Sequence, residues 1–396
     1  MMLMIEAIGC YLIIILILLI NLFNIIILNL YIYKVFFLYL YMNQNNHKLS
    51  LAFYMGYSES FNGKNYNSKN VFGSEINTIK LAETLTHLYN ITIFVNIPES
   101  DEIIHNNISY LQLNKLNTIK YLDILVIVRY INFFIYYKNQ AKKLFIWICD
   151  SIINPYYNGI RLDNNAVNLL YNLRHNINGY ICLSDWHLSN LQFQIKEDIS
   201  KLHIIYNPID LSYYKPNIPI IKNRFIFVPS PDRGLDILLD CLIFMQNTIP
   251  DISLVVFRKD DFTESMRNKI NKLNNVIVYG KETQDVVANE FLQAEYFFYP
   301  ANLPETFCNV AVEAQLYRTI CIYNYIGGLQ TTISGRGFKI LYDLNDPNYT
   351  IKTCADIINL MNDTEKKNDF ITRGYEWAKN LDVNIIKDKW IDLFNN

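Results

Sequence analysis

The chain has 396 residues, 51% of them hydrophobic and 18% charged, with a formal net charge of −2. That length holds two ordinary domains and a sizeable core. The near-neutral balance, without a long basic run, excludes the electrostatic footprint of a nucleic-acid binder, so a small ligand is expected.

In chain order, 27 uncharged residues run between Glu6 and Lys34, more than the ~20 apolar residues that span a bilayer. A cleavable signal peptide fits poorly, because an acidic residue precedes the run and no small-residue cleavage site follows. Residues 1–42 are therefore read as a possible single membrane anchor, with Lys34 and Lys48 weakly favouring a cytoplasmic position for the rest. The competing reading starts a cytoplasmic protein at Met42 and treats residues 1–41 as upstream sequence.

Residues 43–208 alternate strand and helix. Apolar runs at 50–56, 91–96, 123–129 and 144–150 read as strands of a parallel sheet covered on both faces, and YICLSDWHLSNL (180–191) as a strand entering a helix. The helix after Val71 has Ser74 as its expected N-cap, with Ile76, Ile79, Leu85 and Leu88 at helical spacing. A break at Tyr206-Asn207-Pro208-Ile209-Asp210 ends this half. The pattern restarts over 209–380 with strands RFIFVPS, ISLVVF, NVIVYG and EYFFYP separated by helices, which predicts a second doubly wound α/β domain and a cleft between the two. Residues 381–396 form a terminal helix whose Trp390, Leu393 and Phe394 are expected to pack back on the first domain.

The sharpest signal is PETFCNVAVEAQ (304–315). Glu305 is expected to open a helix that carries Glu313 eight residues on. Were both helical, they would be roughly 12 Å apart along the axis and about 80° around it, enough to grip two parts of a long ligand. The seven cysteines (10, 149, 182, 241, 308, 321 and 354) have no C-x-x-C pairing, so neither zinc nor a disulfide framework is expected. There is no Walker A or G-x-G-x-x-G sequence and no histidine cluster, so neither cofactor nor metal is expected.

From about residue 50 onward the chain resembles GT-B fold, family 4-type retaining glycosyltransferases of group 1. Gly73-Ser74-Glu75, YNPID (206–210), SPDRGLDILL (230–239), VIVYG (276–280) and the Glu305/Glu313 pair carry the resemblance, in the family's order. It implies two Rossmann-like domains facing a central cleft, a nucleoside diphosphate sugar as donor, and transfer to a glycan, lipid or protein acceptor. A diphosphate leaving group gathers negative charge and needs fixed cations and N–H donors. Arg233, before a helix N-terminus, suits bidentate phosphate binding, and Gly234 lets the backbone approach. By the resemblance Glu305 contacts the donor sugar, Glu313 the ribose, and the backbone of Phe307, Cys308 and Asn309 donates to the ligand. Lys259 and Gly280 complete the donor-binding set.

Gly73, Ser74, Glu75, Asp150 and His187 are acceptor-side candidates. For Asp150 a purely structural role is equally open, and for His187 a capping or packing role. Three departures from the family pattern stand out. Cys149 replaces a histidine and Arg318 a glycine, while Val228 occupies the place of a second basic residue that Arg258 or Lys259 would have to replace. They keep open a catalytically degenerate glycan-binding or membrane-organising protein, beside a nucleotide-sugar epimerase or hydrolase of the same fold.

Overall fold

In the computed structural model of the chain, the described residues are 33–34, 48–66, 71, 73–138, 141–153, 156–157, 160–161, 164–195, 197–215 and 217–396. The chain divides into two compact units, Met1–Leu49 and Ser50–Asn396. In the first, Tyr33 and Lys34 are helical and Leu49 is extended; the rest of the expected anchor over 1–42 lies outside the described residues. Among the described residues no helix is long and apolar enough to cross a membrane.

The second unit is built on two open sheets. The first uses β1 (Leu49–Tyr54), β2 (Tyr89–Val95), β3 (Ile103–His105), β4 (Ile108–Gln112), β5 (Leu122–Val128) and β6 (Ala141–Trp147). A separate antiparallel pair, β7 (Tyr156–Tyr157) with β8 (Ile160–Arg161), precedes its last strands β9 (Gly179–Cys182) and β10 (Leu202–Ile204). The spatial order is β10-β9-β6-β5-β1-β2-β4-β3, parallel except for β3 against β4. The apolar runs predict this burial: Val126, Ile127 and Val128 of β5 are each fully buried, as strands covered on both faces must be. The β3–β4 hairpin turns on Asn106 and Asn107, both at positive φ, a conformation that asparagine tolerates and two-residue hairpins require. That Asn-Asn signal was open to reading in the sequence.

The second sheet holds β11 (Ile221–Phe227), β12 (Ser253–Val256), β13 (Val276–Val278), β14 (Ala294–Tyr299), β15 (Ile320–Asn324) and β16 (Phe338–Ile340). All its strands are parallel, in the order β13-β12-β11-β14-β15-β16. Two crossings join the sheets side by side. Ile209 pairs with Asp382 as an isolated parallel bridge, closed by Ile209 N–H to the Leu381 carbonyl (2.9 Å) and Val383 N–H to the Ile209 carbonyl (3.1 Å). The terminal Val383–Asn395 helix then lies on the first sheet, with the Trp390 ring 4.8 Å from Trp147 and Phe394 5.6 Å from Phe145. Aromatic pairs at such spacing add stabilisation beyond the area they bury.

Two local expectations are corrected. The helix after Val71 already includes Gly73 and runs to Leu85, so Ser74 is inside its first turn rather than its cap; its Oγ bonds Glu75 Oε2 at 2.9 Å. Glu305 is not helical either. The helix begins at Asn309 and ends at Leu316, with Cys308 as its left-handed N-cap, so the axial separation expected for Glu305 and Glu313 does not apply.

Candidate functional site

In an open parallel sheet, loops leaving neighbouring strands diverge where the strand order reverses, and ligands bind in the crevice this opens at the carboxyl ends. In the second sheet that reversal lies between β11 and β14. The loop after β11 carries Arg233 and the loop after β14 carries Glu305. In the first sheet it lies between β1 and β5, whose following segments lead to Gly73 and to Arg129. Residues from both reversal points line one cleft of about 440 Å³: Gly73, Ser74, Arg129, Cys149 and Asp150 on one side, Val228, Arg233, Arg258, Glu305 and Asn309 on the other. A neighbouring cavity of about 180 Å³ shares Gly73, Val228, Asn309 and Val310 with it and reaches Gln284 and Glu313.

Arg233 and Glu305 are directly paired, Nη1 to Oε1 at 2.7 Å. The same carboxylate oxygen accepts from Tyr299 Oη at 2.5 Å. Burial works against the Arg233 charge, yet Glu305 beside it holds the guanidinium above its ordinary value. Burial likewise raises the Tyr299 phenol, with Glu305 adding to it, so Tyr299 is a hydrogen-bond donor throughout the working pH range. The Glu305 loop is supported from beneath by two glycines. A Cβ on Gly327 would lie 2.6 Å from the Glu305 carbonyl oxygen, and one on Gly328 would lie 2.2 Å from that of Thr306. Gly328 N–H bonds the Glu305 carbonyl at 2.5 Å. Gly234, at φ 115°, answers to the same packing: a Cβ there would meet the Pro300 carbonyl oxygen at 2.3 Å. The close approach that its missing side chain permits is therefore to the neighbouring loop.

Cys308 lies at φ 74°, a region that costs an L-residue roughly 1–2 kcal/mol and glycine nothing. Arg129 (67°) and Arg258 (66°) share that strained region, and all three line the cleft. Backbone strain of this kind collects where the surrounding structure holds a functional geometry. Phe307 turns away from the cleft, fully buried and stacked on Tyr206 of the crossing at 5.3 Å. Asn309 stays at the cleft wall as the first helical residue, where free N–H groups favour oxygen-rich ligands.

Of the two cations considered in place of a basic residue at 228, Arg258 reaches the cleft wall, its Nε held by Asp261 at 2.8 Å. Lys259 is exposed and is not part of the wall. Gly280 accepts the Arg258 N–H at its carbonyl, 3.0 Å away, and supports that turn. Arg318 stands outside the cleft with its guanidinium 4.6 Å from the Tyr375 ring, so this departure is absorbed by stacking.

On the facing side, Asp150 accepts both arms of Arg129, at 2.7 and 2.9 Å. Burial opposes the Arg129 charge, but Asp150 holds the group protonated. Arg129 was not among the expected site residues; a lone arginine after an apolar strand looks like a solvated strand end. Glu75 is buried beneath the wall at 3% exposure. His187 is fully buried and does not reach the cleft wall. Its Nδ1 accepts the Leu183 N–H at 3.1 Å, and burial pushes it down to about 4, so it is a neutral packing residue.

The two sides are closed onto each other through Thr306. Ser184 Oγ donates to its carbonyl (2.7 Å) and its own hydroxyl donates to the Cys149 carbonyl (2.9 Å). Asn207, at the crossing, donates to Asn309 Oδ1 at 2.8 Å, and its own Oδ1 is buried without a partner. Glu313 is half-buried, with Gln284 Nε2 3.3 Å from its Oε1. Burial pushes its carboxyl up to about 7, against the pull of Lys80 and of the Gln284 bond. Lys80, from the Gly73–Leu85 helix, spans the interface to Asp210 (2.9 Å) and Gln284 (3.3 Å). The six described cysteines are free, and among the described residues no group of three or more His, Cys, Asp or Glu is placed to hold a metal ion.

Residues 216–377 match the family described as Glycosyl transferases group 1. No curated protein matches the chain in sequence. Its fold is shared with sucrose-phosphate synthase of Thermosynechococcus elongatus, at TM-score 0.67 and 16% identity, over 88% of this chain and 98% of that one. It is also shared with Anabaena HepE in complex with UDP and glucose (0.65, 15%, 88% and 99%) and with a glycosyltransferase of Rickettsia africae (0.67, 15%, 88% and 98%). The architecture is the GT-B fold.

Proposed function

We infer that this chain, a GT-B protein whose residues 216–377 form a group 1 glycosyltransferase domain, transfers a sugar from a nucleoside diphosphate to an acceptor with retention of configuration. The observation that carries this reading is the convergence of Arg233 and Glu305, from loops flanking one switch point, on a cleft walled by the opposite sheet. In this reading one domain ends at residue 208 and the other begins at 209, which the isolated bridge from Ile209 to Asp382 supports. Support for the donor class comes from HepE, whose structures contain UDP, UDP-glucose, or UDP with glucose.

In this reading the diphosphate lies against Arg233, Arg258 and the N–H groups opening the Asn309–Leu316 helix. The Oε1 of Glu305 is occupied by Arg233 and Tyr299, and the carboxylate turns to the sugar hydroxyls when a donor enters. Glu313, beside the smaller cavity, takes the ribose. As the anomeric C–O bond breaks, Arg233 meets the charge growing on the phosphate, and a preorganised donor of this kind is worth roughly 10² to 10³ in rate. The departing phosphate oxygen accepts the acceptor's proton on the same face, so no protein general base is required and configuration is retained. The neutral, buried His187 leaves that role unfilled, in keeping with this scheme. The Ser184–Thr306–Cys149 contacts hold the cleft shut and exclude water.

The test is a thermal-shift panel of UDP, GDP, ADP and TDP with their sugars, followed by acceptor-dependent transfer and assignment of the product anomer. A ligand at 100 times its Kd stabilises the fold by about 2.7 kcal/mol. If no nucleoside diphosphate stabilises the protein, the reading fails. Donor consumption without acceptor dependence replaces it with a hydrolase or epimerase.

A further inference from the structure

Arg129 and Asp150 form an ion pair at the wall of the 440 Å³ cleft, apart from the Arg233–Glu305 pair and from the contacts that close the two sides. They come from the carboxyl ends of two adjacent strands. Arg129 directly follows β5 and Asp150 lies shortly after β6, beyond the pairing of Val128 with Trp147. Arg129 N–H bonds the Trp147 carbonyl at 2.8 Å and Tyr130 N–H the Val128 carbonyl at 2.7 Å. Between these bonds Arg129 is held at φ 67°, a conformation that a residue with a side chain enters only at a cost.

The pairing uses one edge of the guanidinium. Asp150 accepts side-on, from Nε at 2.7 Å and from Nη2 at 2.9 Å. Five N–H groups in a planar fork make up the whole donor set, so the end-on edge, formed by Nη1 and the second N–H of Nη2, is left over. Nη1 has no bonded partner among the described residues, and it is not one of the buried polar atoms that lack a partner; it is therefore open to solvent. The two side chains keep 27% and 25% of their surface exposed, whereas the Arg224–Glu290 pair is sealed at 5% and 11%. Two parallel N–H groups on an end-on edge match the two oxygens of a carboxylate or phosphate, and the carboxylate behind them fixes the fork.

We propose that Arg129 is an oxyanion-binding residue of the first-sheet wall, its end-on edge taking a phosphate or carboxylate group of a bound substrate. This rests on the glycosyltransferase reading above, which places a donor and an acceptor in the cleft. Arg233 and Arg258 stand on the opposite wall. An anion held by Arg129 is then either the donor's diphosphate, gripped from both walls, or an acidic group on the acceptor. The two sources share one chemistry and separate by which ligand loses affinity.

The experiment uses the full chain. UDP, GDP, ADP and TDP are titrated calorimetrically into it, then glucose, glucuronate and glucose 6-phosphate into the protein saturated with the nucleotide it prefers. The same titrations are made on Arg129→Gln and on Arg129→Gln/Asp150→Asn, which leaves no unpaired carboxylate behind. The expected result is a Kd weaker by about ten- to a hundredfold, the scale of a hydrogen bond to a charged group, in both variants and with the double variant's Tm near that of the wild type. A loss for the nucleotide identifies the anion as the donor's diphosphate. A loss for glucuronate and glucose 6-phosphate but not for glucose identifies it as the acceptor's. Kd values within twofold of wild type in both variants overturn the proposal and leave the glycosyltransferase reading standing. So does a loss confined to the single variant alongside a lowered Tm, which would make the pair structural, and so does an equal loss for glucose and its acidic relatives with nucleotide binding unchanged. A wild type that binds none of the four nucleotides overturns that reading and the proposal with it.

Discussion

Replacing Glu313 by glutamine tests the electrostatics of the smaller cavity with little change of shape. An exposed glutamate titrates near 4.5, and burial moves this one to about 7 against the attraction of Lys80 and the Gln284 bond. Between those values the folded protein holds a proton that the unfolded chain releases. The group's contribution to stability is therefore fully present below pH 4.5 and is lost as pH rises through 7. A displacement of about 2.5 units is worth about 3 kcal/mol at most. Glutamine does not titrate, so its stability lacks this slope. Neighbouring groups do not confuse the comparison: despite burial, the bonds from Ser212 and Lys80 keep Asp210 below its ordinary value, and His187 titrates near 4. The Tm of both proteins would be measured from pH 5 to pH 8. At roughly 2–4 °C per kcal/mol for a domain of 150–250 residues, the wild type should lose up to about 6–12 °C relative to Glu313→Gln across that range. Parallel Tm curves would refute the assignment of a raised carboxyl to this site.

Arg233→Ala should lower kcat by roughly 10² to 10³ with little change in Tm, because the Arg233 side chain is 43% exposed and pairs of that kind contribute about 0–1 kcal/mol; unchanged turnover at saturating donor would remove Arg233 from the chemistry. Cys308→Gly should stabilise the protein by about 1 kcal/mol, read by denaturation, since it relieves a left-handed backbone at φ 74°. Trp390→Ala should cost about 3–5 kcal/mol, because the fully buried indole packs on Trp147 across the return of the terminal helix; a loss below about 1 kcal/mol would show that the helix docks without it.

The strands flanking the site were legible because a two-sided parallel strand needs an apolar run, and β1, β5, β11 and β14 each end in one: LAFY (51–54), ILVIV (124–128), FIF (225–227) and YFFY (296–299). Arg233 and Glu305, expected in one site, are in contact at 2.7 Å. The local conformation of Glu305 was not legible. Its place just before an apolar, helix-period run reads locally as a helix start, yet the loop packs against the Gly327-Gly328 backbone, residues far along the chain, and the helix opens only after the left-handed turn at Cys308. Arg129 escaped notice for a related reason. A polar residue at a strand end or on a helix face carries the same local signature whether it meets water or an opposing sheet.

Sequence alone determined the α/β class, since alternating apolar runs and helical periodicity are local signals, and through the family resemblance it named the residue types that a charged, oxygen-rich ligand would need. Only the tertiary structure decided which of them meet. It assigned Arg258 rather than Lys259 to the cleft wall, removed His187 to the interior, and brought Arg129, Asn77 and Lys80 from the first sheet against Glu305, Gln284 and Glu313 of the second. Strand order sets where loops diverge and which faces oppose each other, and strand order is a property of the whole chain that no local stretch contains.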